Sequence, residues 1–185
     1  PRGAAPAGAV RRVTQAFIAE MGEHNRKISA HLFDLVKREA VIITHSASRS
    51  VREALIHCWE KGKPLSVICC ESRPACEGAV LARDLAERGI PTSLTTDALC
   101  LSLIMAPPHG QKESRVVLVG ADSVSPNGLI NKAGTLGLAI IARNCSIPFY
   151  ALSGSEKFLP STFPVEQAIQ EKPPEEILSH PIGGL

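Results

Sequence analysis

The sequence predicts an α/β fold, a Rossmann-like open parallel sheet between helical layers, preceded by a long N-terminal helix. Three observations carry that reading. Short β-rich runs alternate with helical stretches five times after residue 40, some of the runs, such as Val116-Val117-Leu118-Val119, are continuously aliphatic, and Gly/Pro punctuation stands at the junctions. Strands covered on both faces lose the in/out alternation of a half-solvated sheet, and right-handed β-α-β crossovers then place helices on either side.

The elements follow in order. From Val13 to about Arg38, apolar residues Val13, Phe17, Met21, Ile28, Leu32, Leu35 and Val36 recur at three, four or seven. That spacing marks one long amphipathic helix, or two in succession around Gly22, whose apolar stripe needs a partner. Strands are expected at Val41–Thr44, Leu65–Cys70, Thr92–Thr95, Val116–Gly120 and Phe149–Leu152. Helices are expected at about Ser50–Lys61, Gly78–Arg88, Ala98–Met105 and Lys132–Asn144. Lys61-Gly62-Lys63-Pro64, Arg88-Gly89-Ile90-Pro91 and Ser146-Ile147-Pro148 each stop a helix and extend the chain into the next strand. Ala106 to Ser114 reads as a polar surface loop. Beyond Ser161 the text is Pro-rich, with short helical candidates at Val165–Lys172 and Glu175–His180. Residues 1–40 are expected to form an N-terminal lead and helix, and 41–185 a Rossmann-like domain.

Composition bounds the function. The chain has 185 residues, 44% hydrophobic, 21% charged and 4% aromatic, enough for one domain with an aliphatic core. A net charge of +2 is far from the basic balance of a nucleic-acid or anionic-membrane binder, so neither partner is expected and an anionic ligand must be met by a few placed cations. No apolar run reaches the roughly 18 residues of a membrane span. The start reads as a flexible lead or the cut edge of a longer chain. The cysteines Cys58, Cys69, Cys70, Cys76, Cys100 and Cys145 lack Cys-x-x-Cys spacing, which favours reduced thiols and a cytoplasmic setting over a disulfide framework. The scattered histidines give no metal motif, so neither metal nor cofactor is expected.

In an open parallel sheet, ligands bind at the carboxyl ends of the strands, where loops and helix N-termini gather. All five expected strands end in polar text: Thr44-His45-Ser46-Ala47-Ser48-Arg49, Glu71-Ser72-Arg73, Thr95-Thr96-Asp97, Gly120-Ala121-Asp122 and Ser153-Gly154-Ser155-Glu156-Lys157. Hydroxyls and helix amides beside Arg49, Arg73 and Lys157 suit a phosphate, while Asp97 and Asp122 suit sugar hydroxyls or a proton transfer. Singly, each has a structural reading. Ser46 and Ser48 can be helix caps, Arg49 and Arg73 solvated partners of Glu53 and Glu71, His45 a packed histidine, and Asn127-Gly128 a tight turn. What distinguishes the set is the coincidence of five strand ends. Kinase-like, dehydrogenase-like and hydrolase readings fall, because Gly-x-x-x-x-Gly-Lys-Ser/Thr, Gly-x-Gly-x-x-Gly after a strand and Gly-x-Ser-x-Gly are all missing from the text.

The residues at these ends also form a known pattern. Val119-Gly120-Ala121-Asp122-Ser123-Val124, Asn127-Gly128, Ile130-Asn131-Lys132, Gly134-Thr135 and Glu156-Lys157-Phe158 resemble the superfamily joining translation initiation factor 2B alpha, beta and delta subunits with two sugar-phosphate isomerases. Those isomerases act on methylthioribose 1-phosphate and ribose 1,5-bisphosphate. Glu71-Ser72-Arg73-Pro74 with Gly78, and Gly89-Ile90-Pro91, are similar to the same family, and the resemblance covers about Phe17 to Pro160. It implies an initiation factor 2B-type domain over 41–185.

For catalysis the resemblance implies an aspartate, matched by Asp122, and a cysteine whose position is held by Ser46. A hydroxyl is a far weaker acid than a thiol of pKa about 8.5. The text around Ser46 is closer to the alpha regulatory subunit pattern Thr-His-Ala-x-Ser-Arg. For the ligand, the resemblance implies that Ser48, Arg49, Arg73, Asn131, Lys132 and Lys157 hold sugar phosphate. The segment from Asp122 to Asn131 is one residue shorter than in the enzymes. Full-length members carry an N-terminal helical domain, with an Arg-Gly-Ala loop in the enzymes, and continue past the present C-terminus. Arg2-Gly3-Ala4 lies too near Ser46 to be that loop, and a fragment or shortened homologue is expected. Three readings follow: a regulatory subunit that binds a phosphorylated sugar or nucleoside monophosphate and acts through assembly with itself or related subunits, an aldose-ketose phosphate isomerase, or a decayed paralogue that binds nothing.

Overall fold

A computed structural model describes residues 7–105, 114–163 and 171–177. It opens with one continuous helix, α1 (Ala7–Leu35), running through Gly22 without a break. The core follows as β1 (Ala40–His45), α2 (Arg49–Glu60), β2 (Leu65–Cys70), α3 (Glu77–Glu87), β3 (Thr92–Thr95), α4 (Asp97–Met105) and β4 (Arg115–Val119). A hairpin of β5 (Ser123–Ser125) and β6 (Gly128–Ile130) precedes α5 (Thr135–Asn144) and β7 (Phe149–Ala151). Short 3-10 turns at Ser155–Lys157 and Pro174–Glu176 complete the described chain. The expected loop at Ala106 to Ser114 lies outside the described residues but for Ser114, as do most of the two helical candidates after Ser161.

The five expected strands form one parallel sheet in the order β3-β2-β1-β4-β7. Alternate residues feed two cores. Ile42, Val67 and Leu118 pack with Leu32 and Val36 at the end of α1 and with α2 and α3. Ile43, Val117 and Val119 face the other way, onto Cys100 and Ile104 of α4 and Leu138 and Ala142 of α5. Both faces of each central strand are therefore apolar, which is why the text shows aliphatic runs and no period of two.

Only the second half of α1 takes part in this packing. Asn25, Ser29 and Leu32 are buried, whereas Val10, Val13, Phe17 and Ile18 are exposed. Two boundaries differ from expectation in ways that shape the site. β1 runs on to His45, so the imidazole projects from the sheet and is buried. The last helix begins at Thr135, not Lys132, because Gly134 turns the backbone into the left-handed region at φ 101°. Lys132 is thereby left on a loop.

The hairpin is the element sequence reading reduced to a turn. Ser123, Val124 and Ser125 pair antiparallel with Ile130, Leu129 and Gly128 across the two-residue turn Pro126-Asn127. With three residues a side, each strand is too short to show a period of two. Its consequence is local: the Asp122 amide donates to the Ile130 carbonyl at 2.8 Å, bringing Asp122 beside Asn131 and Lys132.

Candidate functional site

A cavity of about 580 Å³ opens at the carboxyl edge of the sheet, between the ends of β1, β4 and β7 and the exposed side of α1. Ser46, Ser48, Arg49, Asp122, Asn131, Lys132 and Lys157 all line it. Arg73 does not; its exposed side chain lies 3.7 Å from the Cys76 thiol. Asp97 turns inward, its two carboxylate oxygens accepting the backbone amides of Ser72 and Arg73 at 2.8 Å each.

The β1 end is built on close approach. Ser46 and Ser72 terminate neighbouring strands in the left-handed region, at φ 66° and 67°, a conformation that costs a non-glycine residue about 1–2 kcal/mol. They stabilise one another, since the Ser46 amide donates to Ser72 Oγ at 2.6 Å. Ser48 caps α2, its hydroxyl accepting from the Val51 amide at 3.4 Å. A Cβ at Gly120 would stand 2.6 Å from the Ser48 side chain, so glycine is what lets β4 pass the start of α2.

His45 is engaged at both nitrogens. Nε2 lies 2.6 Å from the Ala133 carbonyl, and so donates, while Nδ1 lies 3.2 Å from Ser72 Oγ and 3.7 Å from Asp97 Oδ1. His45 Nδ1, Cys70 Sγ and an Asp97 oxygen fall within 4.8 Å of one another, the set among the described residues closest to a metal site. A hydrogen bond with Cys100 and burial hold the Cys70 thiol well above its usual range.

The cations differ in how they are held. Arg49 Nε lies 2.6 Å from Glu53 Oε1, the solvated pair that was the alternative reading of Arg49. Lys132 Nζ reaches Glu77 Oε1 at 2.9 Å. Burial pushes the Glu77 carboxyl up, but the Lys132 hydrogen bond, its own backbone N–H and the Lys132 charge together hold it below the usual carboxylate range. Asn131 donates to Thr135 Oγ1 at 3.0 Å. Lys157 is exposed and has no ion-pair partner among the described residues.

Sequence reasoning missed the wall contributed by α1, namely Phe17, Ile18, Met21 and Asn25, and the Glu77 carboxylate, and it placed Glu156 at the fifth strand end without giving it a role. The apolar stripe of α1 pointed to an unidentified partner. Asn25, which accepts from the Ser50 hydroxyl at 3.0 Å, was a polar interruption of that stripe. Glu156 folds back over Gly154, whose Cβ would stand 2.1 Å from the carboxylate, to meet His24 Nδ1 at 3.1 Å.

Residues 4–181 match the model of the initiation factor 2 subunit family. The chain belongs to this family. Its relatives within the family carry two kinds of name. It is 34% identical to the ribose 1,5-bisphosphate isomerase of Methanocaldococcus jannaschii, over 77% of this chain and 44% of that protein. It is also 34% identical to the translation initiation factor eIF2B subunit alpha of Caenorhabditis elegans, over 85% of this chain and 50% of that protein. The structure matches that of a Pyrococcus horikoshii OT3 translation initiation factor eIF-2B with a TM-score of 0.73 at 35% identity, covering 80% of this chain and 51% of that one. The eIF-2B delta subunit of A. fulgidus matches with a TM-score of 0.79 at 26% identity, covering 90% and 50%. The chain thus spans about half the length of the relatives it matches, and both the family and the α/β fold expected from the sequence hold. No helix among the described residues is long and apolar enough to cross a membrane.

Proposed function

We propose that this initiation factor 2 family chain binds a phosphorylated sugar or nucleoside monophosphate in the strand-end cavity and acts through subunit assembly, as a cytoplasmic initiation factor 2B-like subunit, rather than by turnover. The observation that carries the reading is the state of His45 beside Ser46. Nε2 donates to the Ala133 carbonyl and Nδ1 faces Ser72 Oγ, and neither nitrogen is hydrogen-bonded to the Ser46 hydroxyl, so the histidine adjoining Ser46 in the chain is not placed to activate it. A serine without a base is a poor proton carrier, and loss of a general acid or base costs about 10²–10⁴ in rate. The ligand-holding residues Ser48, Arg49, Asn131, Lys132 and Lys157 nonetheless share one cavity with Asp122, which supports binding. Arg73, outside the lining, is proposed as a peripheral charge. Exposed Val13, Phe17 and Ile18 on α1, with Leu136 and Ile140 on α5, support assembly, since apolar surface of this kind is commonly covered by a second copy.

Isomerase activity is the second reading, favoured by Ser46 and Asp122 lining the same cavity. One assay separates the two: methylthioribose 1-phosphate and ribose 1,5-bisphosphate offered to the wild type and to Ser46→Cys. The regulatory reading expects no turnover by the wild type. Rapid isomerisation by the wild type overturns it.

A further inference from the structure

The number of phosphates the ligand carries is written in the charges of the cavity wall; the inference rests on the binding role proposed above. The lining holds the cations Arg49, Lys132 and Lys157 and the carboxylates Glu77, Asp122 and Glu156. Arg49 is committed to Glu53 and Lys132 to Glu77, at 2.6 and 2.9 Å. Among the described residues this leaves Lys157 as the uncommitted cation, on the turn that follows β7. Glu77 stands at the opposite end, at the start of α3 behind β2. In the strand order β2-β1-β4-β7 the two residues follow strands that are separated by β1 and β4.

We infer that the cavity selects a ligand with a single phosphate over a bisphosphate, and that Glu77 is the residue that sets this preference. A phosphate anchored at Lys157 directs the rest of the ligand toward Asp122 and Glu77. Sugar hydroxyls can donate there. A second phosphate brings about −1.5 to −2 charges to a wall whose cation, Lys132, is already neutralised. Lys132 is only 17% exposed and Glu77 37%, and the second oxygen of Glu77 is buried with no hydrogen-bond partner among the described residues, so water screens this pair in part and leaves a residual repulsion. The preference runs against a simple transfer of substrate from the 34%-identical relative named ribose 1,5-bisphosphate isomerase.

The test is calorimetric titration of the chain with ribose 5-phosphate and with ribose 1,5-bisphosphate, using the wild type and Glu77→Gln. The wild type is expected to bind the monophosphate at least about tenfold more tightly, and Glu77→Gln, which frees Lys132, to narrow that ratio by raising affinity for the bisphosphate. Asp122→Asn removes the other charge of the same wall and gives the same narrowing if Glu77→Gln does not fold. A wild type that prefers the bisphosphate, or a ratio unmoved in the folded variants, overturns the inference while leaving the binding role intact. Binding of neither compound at millimolar concentration overturns both.

Discussion

His45 Nε2 donates to the Ala133 carbonyl across 2.6 Å, joining the end of β1 to the loop that carries Lys132. The contact is made possible by Gly134, which sits at φ 101° with His45 Nε2 only 3.1 Å from where a Cβ would lie. One buried imidazole thus helps fix the four-residue loop between β6 and α5 on which the cavity cation Lys132 stands.

Two substitutions probe that tie. His45→Ala is expected to lower unfolding free energy by about 1–3 kcal/mol, because the Ala133 carbonyl loses its donor and Ser72 a partner. Gly134→Ala should cost more than Gly62→Ala, although both glycines have positive φ, since a Cβ at Gly62 meets nothing within 4 Å. Urea unfolding of the three variants checks the order. Equal losses at the two glycines would show that His45 does not crowd the turn.

A second pair of glycines separates packing from propensity. A Cβ at Gly78 would fall 1.7 Å from the Cys70 carbonyl oxygen, whereas one at Gly22, inside α1, meets nothing. Gly78→Ala is expected to displace the start of α3 and destabilise by several kcal/mol, and Gly22→Ala to stabilise by about 0.5–1 kcal/mol. Thermal melts that place both variants on the same side of the wild type would contradict this.

Acid sensitivity has a specific source between α2 and α3. Arg52 holds Asp84 through hydrogen bonds of 2.7 and 3.0 Å. Those bonds, against partial burial and with the charges of Arg52 and Arg88, keep the Asp84 carboxyl below its usual range. A carboxyl depressed on folding adds stability that is present above its unfolded pKa, about 3.9, and lost as pH falls through the folded value. Asp84→Asn should therefore cost about 0.5–1 kcal/mol at pH 7 and progressively less below about pH 4. Denaturant titrations at pH 7 and pH 3 read the difference.

The sheet was legible in the sequence because central strands flanked by two cores must be aliphatic throughout, and Gly62, Gly89 and the prolines mark where each helix gives way. β5 and β6 were not, because three-residue strands carry no period and Asn127-Gly128 alone specifies only a turn. The cavity was legible at the strand ends, since the candidate residues Ser46, Ser48, Arg49, Asp122, Asn131, Lys132 and Lys157 all line it. Arg73 was grouped with them by its strand-end position and by the family resemblance, but the Asp97 carboxylate fixes the loop backbone at Ser72 and Arg73, and the side chain of Arg73 points elsewhere. Glu77 was invisible for the opposite reason. It opens a helix, where an acidic residue is expected for the dipole alone, and only the three-dimensional return of Lys132 gives it a second meaning.

The measurement that reaches the central claim most directly is calorimetric titration of ribose 5-phosphate into the wild type and Lys157→Ala. A phosphate held at the strand-end cavity predicts saturable binding to the wild type with one site per chain. Loss of one charge-assisted contact, on the order of 1.5–3 kcal/mol, predicts an affinity about 10- to 150-fold weaker in Lys157→Ala. Absence of saturable heat at millimolar ligand, or equal affinity in the two proteins, would contradict it.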